Sequence, residues 1–315
     1  MNISRKNSNI LVGIDLGGTK IETAGFDAES PELTNIWRNR VATPDNYQST
    51  LEVLSQQITA ACTHCALPDD HPIGVGCPGC PNPKTGLIRN ANSTWLNGQN
   101  LAQDLKIKTG HPVRLQNDAN CFIRSEARDG AAKGFGSAFG VIIGTGCGGG
   151  VWLGTNLWPG ASGIAGEWGH NSLPWPGPNE TPGPSCWCGQ QNCLESWLSG
   201  PGMLRHYQQE GGPAHSVEEL ARRALAGDQL EQSTLDQYAN RLARGLAQMI
   251  NLLDVEVIVL GGGLSNLPQI AERTERLIGQ WVFSDASTVR IVQNHHGDSS
   301  GVRGAALLWA NERPS

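Results

Sequence analysis

Apolar residues near the start of the chain occur in short runs that predict three strands. The runs cover Ile10–Asp15, Lys20–Phe26 and Ile36–Val41, and the glycine-rich sequence LGGT separates the first two. The same order of strand, glycine turn and strand returns at Phe139–Ile143 and Val151–Leu153. Such a repeat, about 130 residues further on, predicts a duplicated architecture.

The other apolar patterns predict helices and additional strands. Apolar residues either recur with helical spacing or form short runs that end at Gly or Pro. The predicted helices are Tyr47–Ala66, Asp118–Gly130, Leu230–Leu253, Leu267–Trp281 and Val302–Asn311. The additional predicted strands are Ile73–Cys77, Val113–Gln116 and Val255–Leu260. This mixed order of strands and helices predicts an α/β fold.

Composition and charge exclude several classes of partner. The 315 residues suffice for two lobes, each with its own core. With a net charge of −6 and no Lys/Arg cluster, we expect neither nucleic acid nor a membrane surface as partner. The sequence has no apolar run of membrane-spanning length and no signal-peptide region. Its nine cysteines therefore favour a reducing, cytoplasmic location, with thiols free or bound to metal.

Three glycine clusters follow strands and predict binding sites for phosphate groups. They are Gly17–Lys20, Gly144–Gly150 and Gly261–Gly263. A backbone without Cβ approaches ligands closely, and successive N–H groups form anion-binding nests, to which Thr19 and Thr145 add hydroxyls. One such turn is more often an ordinary hairpin, but three of them after strands favour a nucleotide with several phosphates.

Two common nucleotide-binding motifs do not explain these glycines. The phosphate-binding pattern G-x4-G-K-[ST] is missing from the sequence. Gly144, Gly146 and Gly149 match G-x-G-x-x-G, but that dinucleotide fingerprint must open a helix. The sequence VWLG that follows predicts a strand, and Glu167 lies in a loop rather than at a strand end. We therefore discount dinucleotide binding, and with it a nicotinamide-dependent oxidoreductase.

One imidazole and three thiols have the spacing of a metal site. His170, Cys186, Cys188 and Cys193 form the pattern H-x15-C-x-C-x4-C. A Cys3His set is a standard tetrahedral shell for structural Zn²⁺. The segment between them is rich in Pro, Gly and Trp and predicts neither helix nor strand. We expect few backbone hydrogen bonds in such a loop, so that a metal could supply its folding energy. The alternatives are four unrelated residues, or a disulfide pair with two unrelated residues.

Four acidic residues are candidates for chemistry. Asp118 lies where a strand meets a helix. It is either the N-cap of that helix, a role that Asn117 could also fill, or a catalytic base that the helix dipole keeps ionised. Asp15 is either a turn residue or an outer-shell Mg²⁺ partner. Glu167 and Glu195 lie within three residues of predicted zinc ligands. Either they are surface acids, or the metal fixes both where sugar hydroxyls can donate to them.

Seven motifs, in this order along nearly the whole chain, resemble those of the ROK family of sugar kinases. They are GIDLGGTK (Gly13–Lys20), GVGCPG (Gly74–Gly79), NDANC (Asn117–Cys121), GTGCGGG (Gly144–Gly150), AGEWGH (Ala165–His170), CWCGQQNCLESWLSG (Cys186–Gly200) and VIVLGGGLS (Val257–Ser265). Three further segments resemble the fructokinase/mannokinase branch: Asn90–Gln99, Gly166–Trp175 and His296–Trp309. An N-acetylglucosamine kinase branch shares most of the other motifs.

The resemblance implies a fold and an activity. The fold is the duplicated actin/hexokinase-like (ribonuclease H-like) fold, with two lobes and a central cleft. Residues 1–117 plus 298–315 would form the small lobe, and residues 118–297 the larger lobe with the zinc loop. The implied activity is ATP-dependent transfer to the 6-hydroxyl of a hexose, with fructose as first choice. Mg²⁺, a structural Zn²⁺ and a homodimer are also implied.

The resemblance also implies roles for individual residues. Asp118 would be the general base, and Asp15 the outer-shell partner of Mg²⁺. The hexose would be held by Asn92, Asn117, Asp118, Glu167, His170 and Glu195. ATP would be bound by Gly13, Asp15, Gly17, Gly18, Thr19, Lys20, Gly144, Thr145, Gly146, Gly148, Gly149, Gly150, Gly261, Gly262 and Gly263.

Two alternatives of function remain open at this level. One is an N-acetylglucosamine kinase, and the other is a non-catalytic sugar-sensing regulator. The presence of Asp118, a candidate base, weighs against the regulator. The length before the first strand also weighs against it, because the family's repressors carry a DNA-binding extension there and only nine residues precede the strand here. The chain departs from the family at Asn192, where Gly is usual; Asn tolerates positive φ, so we expect the turn to form. We interpret the pairs Cys62/Cys65 and Cys77/Cys80 as free thiols.

Overall fold

The computed structural model describes residues 9–285 and 288–312. Strands β1 to β10 are, in chain order, Ile10–Leu16, Lys20–Asp27, Asn35–Ala42, Ile73–Cys77, Val113–Asn117, Ser137–Ile143, Cys147–Leu153, Asn156–Leu157, Val257–Gly261 and Arg290–Gln293. Helices α1 to α9 are Tyr47–His64, Leu101–Thr109, Asp118–Asp129, Glu195–Leu198, Gly200–Gln209, Val217–Leu225, Gln229–Leu253, Ile270–Ile278 and Ser300–Ala306. Shorter 3-10 turns lie at Thr94–Leu96, Trp168–His170, Pro178–Glu180, Gly263–Asn266, Gly297–Ser299 and Leu307–Glu312, and Cys80–Pro81 pairs with Ile88–Arg89.

These ten strands form two sheets with the same internal order. The first sheet runs β3-β2-β1-β4-β5, and the second runs β8-β7-β6-β9-β10. In each sheet the first three strands pair antiparallel, and the last two strands join in parallel. Equal order and equal direction confirm the predicted duplication of an α/β unit.

The chain divides into two compact units. The first contains the chain up to Gly130, Pro159–Ile164 and the chain from Asp298 on; the second contains Ala131–Trp158 and Ala165–Gly297. The sequence instead predicts a division at residue 118, with residues 118–297 in one lobe. Helix α3 belongs to the first unit because it is bonded to α9. Ser300 Oγ donates to Glu126 Oε1 (2.7 Å), and Arg303 donates to Asp129 (2.8 Å).

Each unit has its own apolar core. In the first, Ile14 and Ile73 of the sheet pack with Leu54 and Ile58 of α1, all fully buried. In the second, α7 packs Leu242, Leu246 and other residues against Phe139 and Ile258 of the sheet. Two separate cores explain why the chain forms two units rather than one large domain.

Glycines in the first sheet let helix α9 lie directly on the strands. A Cβ on Gly74 of β4 would fall on the carbonyl oxygen of Ala305, and one on Gly13 of β1 would lie 2.6 Å from Ala306 N. The sequence predicts Gly13 as an ATP-binding residue. In the structure Gly13 lies inside a strand, where it permits helix packing, and its role toward ATP stays a prediction.

Several predicted boundaries shift, and each shift has a local cause. The predicted helix Leu267–Trp281 shortens to α8, since Gln269 has φ 53° just before it. The predicted helix Val302–Asn311 becomes α9 followed by a 3-10 turn. Helix α2 is not predicted; its signals are Asn100, which caps its start through Gln103 N, and Gly110, which ends it with φ 81°.

Helix α7 is the longest helix that the structure describes, with 25 residues. It carries Arg241 and Arg244 on its buried side. Neither it nor any other helix in residues 9–285 and 288–312 is long and apolar enough to cross a membrane.

The approach of α9 to the sheet yields a stability prediction. The substitution Gly74→Ala adds a methyl group where the Ala305 carbonyl lies, so helix α9 must move away from the sheet. The free energy of unfolding should therefore fall by at least about 1–3 kcal/mol. Urea unfolding measures this loss. Gly279→Ala is the matched control, because its Cβ would have no neighbour within 4 Å and its φ is −60°. Equal stability of both variants would contradict the packing account.

Candidate functional site

The predicted zinc ligands lie together in the second unit. The ligand atoms of His170, Cys186, Cys188 and Cys193 all lie within 4.8 Å of one another. His170 Nδ1 is 3.7 Å from Cys186 Sγ, and the sulfurs of Cys188 and Cys193 are 3.6 Å apart. A tetrahedral shell with bonds of about 2.1–2.3 Å separates its ligand atoms by about 3.4–3.8 Å. All nine cysteines are free thiols, which removes the disulfide alternative.

The segment between these ligands is held better than its sequence predicts. Leu173 N donates to Asn192 O, Asn192 N to Pro184 O and Cys186 N to Gln190 O, each at 2.8 Å. The expectation that the loop has few backbone hydrogen bonds is therefore wrong for these residues. A metal bound by the four residues would therefore add to backbone hydrogen bonds that already hold the segment between Leu173 and Asn192.

Asn192 has the left-handed backbone that the turn requires. Its φ is 64°, so the turn that was expected at this residue forms. The side chain adds a bond that glycine cannot make, since Asn192 Oδ1 accepts from Trp197 Nε1 at 2.7 Å.

A buried ion pair, which sequence reasoning missed, anchors the middle of the same segment. Glu180 accepts from Arg241 Nε at 2.8 Å and from Arg244 Nη2 at 2.7 Å. Burial raises the pKa of Glu180, but the hydrogen bonds from Arg244, the Gly177 amide and Arg241 outweigh it and lower that pKa to about 2. In the sequence, the ion pair is indicated only by two arginines one turn apart on the same side of α7. Glu180 itself lies in an irregular region, where no periodic pattern marks it as buried.

Glu195 connects the cluster of His170 and the three cysteines to the second glycine turn. It begins α4, where its Oε2 accepts from Cys147 N at 2.9 Å and its Oε1 accepts from Trp187 Nε1. A Cβ on Gly146 would lie 2.9 Å from that Oε2, so glycine makes room for the carboxylate. The Trp187 ring in turn meets the His170 ring edge-on, 5.1 Å between centroids. Three predicted residues, Gly146, His170 and Glu195, are thus brought together.

Glu167 is fixed through its backbone. It precedes the 3-10 turn Trp168–His170, and its carbonyl oxygen accepts from His170 N at 3.3 Å. Trp168 Nε1 donates to Gly148 O at 2.9 Å, which seats the turn on strand β7. A metal at His170 would therefore hold Glu167 as well.

The second glycine cluster separates into a turn and a strand. Gly144, Thr145 and Gly146 form the bend, and Gly144 lies beside Gly263, whose amide is 3.9 Å from a Cβ built on Gly144. Gly148, Gly149 and Gly150 instead belong to β7 and pair with Ile142, Val141 and Gly140. The predicted phosphate role of these three strand residues stays a prediction, and for Gly149 the structure shows a packing role as well. A Cβ on Gly149 would lie 2.6 Å from the Phe139 ring and 2.8 Å from that of Trp168.

The neighbouring glycines after β9 have a specific conformational need. Gly262 has φ 82°, and a Cβ there would strike the carbonyl oxygen of Ile143. Gly263 begins a 3-10 turn and has no neighbour near a built Cβ, whereas Gly261 ends the strand. Strand β7 after Gly146 also confirms that the G-x-G-x-x-G match does not open a helix.

In the first unit, the first glycine turn exposes backbone where a phosphate would need it. Gly17 N donates to Lys20 O (2.9 Å), and Thr43 Oγ1 donates to Gly17 O (2.8 Å), which tightens the turn. Gly18 and Thr19 at its tip are exposed. Lys20 Nζ lies 3.6 Å from Asp298 Oδ2.

Asp15 and Asp118 form the titratable centre of the first unit. Burial, then the charges of Asp118 and Glu22, raise the pKa of Asp15 to about 7. Burial also raises the pKa of Asp118, although bonds such as the one from Ala119 N (2.8 Å) oppose it. Burial therefore opposes the ionisation that the helix start was expected to favour, and the role of Asp118 as a base stays a prediction. A buried carboxyl group whose pKa is raised by a neighbouring carboxylate, as Asp15 is by Asp118, favours a bound cation.

Asn117, not Asp118, caps helix α3. Asn117 Oδ1 accepts from Ala119 N at 2.9 Å and from Asn120 N at 3.2 Å, while its Nδ2 donates to Gly79 O at 3.0 Å. The capping alternative for Asp118 is therefore not needed. Asn92 lies exposed in its loop.

Glu22 is a second residue that sequence reasoning missed. It pairs with Asp15 across the β1–β2 hairpin and is 1% exposed. Arg40 Nε lies 2.8 Å and Arg38 Nε 3.1 Å from its carboxylate, and Lys20 Nζ 4.0 Å. In the sequence, only the alternation Arg38-x-Arg40 on β3, which puts two arginines on one face of the strand, indicates a buried acidic partner. Neither Cys62/Cys65 nor Cys77/Cys80 belongs to the metal-type group found in the described chain.

Comparison with known proteins gives a consistent result. The family model described as "ROK family" matches residues 11–312. An N-acetyl-D-glucosamine kinase of Yersinia enterocolitica is 36% identical over 304 residues, which cover 94% of this chain and 98% of that protein. The structure of a ROK hexokinase from Thermus thermophilus is 31% identical with a TM-score of 0.80, covering 95% and 97% of the two chains. A Streptomyces griseus glucokinase, solved with glucose and AMPPNP, shares the fold (TM-score 0.79, 24% identity, 95% and 98% covered).

Proposed function

The chain belongs to the ROK family, and we propose that it transfers the γ-phosphate of ATP to the 6-hydroxyl of a hexose. The observation that carries this proposal is Asp118, a carboxylate at the start of α3 whose burial raises its pKa. Such a group accepts a proton more readily than an exposed aspartate. A sugar phosphotransferase agrees with relatives that match over nearly their full length.

Asp118 acts in this proposal on the hexose hydroxyl. It orients the hydroxyl and accepts its proton as the phosphoryl group is transferred. Because the transition state for phosphoryl transfer is loose, positioning and charge neutralisation supply most of the rate, and a modest base suffices. Mg²⁺, when bound with ATP, neutralises phosphate charge, and Asp15 is placed to hold its water shell. The raised pKa of Asp15 supports this role, since a cation would stabilise its ionised form.

The exposed amides at Gly18 and Thr19 and the bend Gly144–Gly146 are the donors that we assign to the phosphates of ATP. We place adenosine next to Gly262 and Gly263. Gly13 and Gly149 in addition allow this backbone to pack, and Gly148 and Gly150 lie beside Gly149 in the same strand.

The hexose hydroxyls are assigned to Asn92, Asn117, Glu167, His170 and Glu195. Glu195 already accepts bonds from Cys147 N and Trp187 Nε1, which leaves two of its roughly four acceptor positions for hydroxyls. His170 turns Nδ1 toward Cys186, so Nε2 can face the sugar. We propose Zn²⁺ for the four clustered ligands, because three sulfurs and one imidazole at these separations suit its tetrahedral shell.

Two hexoses are each favoured by one observation. The segments Asn90–Gln99, Gly166–Trp175 and His296–Trp309 favour fructose, whereas the N-acetylglucosamine kinase names of curated relatives favour that sugar. ADP release in a coupled assay with fructose, mannose, glucose and N-acetylglucosamine decides between them. We expect N-acetylglucosamine to have the highest kcat/KM, because curated relatives that match over nearly the whole chain carry that name. Highest kcat/KM for fructose would overturn this choice of sugar, and ADP release that no sugar stimulates would overturn the function.

Asp118→Asn tests the base. The amide keeps an oxygen for Ala119 N but cannot take a proton, so kcat should fall by about 10²-fold or more while hexose binding persists. Single-turnover phosphate transfer and calorimetric sugar binding measure the two effects. Asp104→Asn, on the distant helix α2, serves as a control for loss of an aspartate charge. An Asp118→Asn enzyme with normal turnover would refute the assignment.

Cys188→Ser tests the metal. Cys188 is the exposed member of the cluster, so the substitution disturbs the core least while it removes one sulfur ligand. Zinc per chain should fall from one, and KM for the hexose should rise more than KM for ATP, because Glu167 and Glu195 lose their support. Cys62→Ser provides the control of a thiol outside the cluster. Unchanged zinc content and unchanged KM in Cys188→Ser would exclude this role.

A further inference from the structure

A groove of about 470 Å³ in the second unit involves none of the residues assigned to the hexose or ATP above. It is lined by residues between Trp175 and Glu180 of the zinc-loop segment, by helices α5 and α7, and by Trp281, with His206, Arg241 and Arg244 among its helical residues. Its volume lies in the range of small-molecule sites.

The charges that line the groove balance. Arg241 and Arg244 are both bonded to Glu180, and Glu210 adds a second negative charge. His206 is neutral near pH 7, because burial and then the charge of Arg241 lower its pKa. A balanced lining disfavours both a phosphate and a metal cation, and favours an uncharged ligand.

The groove residues carry hydrogen-bond donors that lack an acceptor. Arg241 Nη2 lies 2.9 Å from His206 Nε2 and can only donate, so the neutral ring carries its proton on Nδ1. That Nδ1, Trp281 Nε1 and Arg244 Nε are buried, and none has an acceptor among the described residues. All three atoms have almost no accessible surface, so a ligand in the groove would bond to the side-chain amides of Asn179, Gln237 and Asn240 instead.

An aromatic face forms the rim. Trp175 is 49% exposed and stacks on Trp281, with centroids 5.3 Å apart and planes at 19°. Its φ of 47° is unfavourable for a bulky side chain, and such strain persists where the surroundings hold it. The result is a rigid, flat apolar surface beside the side-chain amides of Asn179, Gln237 and Asn240.

We propose that this groove is a second carbohydrate-binding site, in which a neutral sugar lays its C–H face on Trp175. A sugar ring combines an apolar face with hydroxyls at its edge, and it therefore matches an indole next to side-chain amides. The proposal goes beyond the kinase function and needs neither ATP nor turnover.

Equilibrium dialysis of the whole protein with labelled fructose and with labelled N-acetylglucosamine, without nucleotide, tests the site. Trp175→Ala should bind one sugar fewer per chain than the wild type, with kcat unchanged. The kinase proposal and the groove proposal together predict two sugars in the wild type and one in the variant. If that proposal alone fails, the counts become one and zero, so the two failures are distinguishable.

Two controls keep the test decisive. Trp158→Ala removes another exposed tryptophan of the same unit, 48% exposed, and should bind as many sugars as the wild type. Asn240→Ala alters the groove without touching the strained residue, and should also lose one sugar if Trp175→Ala fails to fold. Equal counts in wild type and groove variants would overturn the proposal. So would a loss of sugar that accompanies a change in subunit number, which would assign the groove to contact between copies.

Discussion

The close approach of one imidazole and three thiols is the constraint on which the site of the second unit depends. His170 lies three positions after Glu167, and Cys193 two positions before Glu195. Bringing these four ligands within 4.8 Å of one another therefore also sets where two carboxylates stand. If a metal binds there, the three thiols become thiolates whose mutual repulsion the cation removes. In the function proposed above, the same contact would then account for local folding and for the placement of acceptors for sugar hydroxyls.

The zinc-loop segment is stabilised at two places with different physics. Its middle is held by Glu180, whose carboxylate is shared by Arg241 and Arg244 in a buried ion pair. Its ends are held by backbone bonds such as that from Leu173 N to Asn192 O, and by the ligand cluster. Removing one member of a buried ion pair costs more than the pair contributes, since the partner charge stays buried. The ion pair therefore holds the middle of the segment in place. The cluster of His170 and the three cysteines would hold the neighbouring residues Glu167 and Glu195, to which the proposed function assigns the sugar.

The sequence predicts the strands, the duplication and the ligand cluster well, because each depends on local spacing. It fails where a residue's role depends on what packs against it. Gly149 looks like a phosphate-binding glycine, yet it is small because the rings of Phe139 and Trp168 press on it. Asp118 looks like a helix cap, yet Asn117 performs that function, and burial raises the pKa of Asp118. Glu22 and Glu180 carry no motif, so only the fold reveals their arginine partners.

X-ray absorption at the zinc edge of protein purified without chelator tests the central claim most directly. The account predicts one nitrogen at about 2.0–2.1 Å and three sulfurs at about 2.3 Å from the metal. Protein that lacks zinc, or a shell dominated by oxygen, would contradict it.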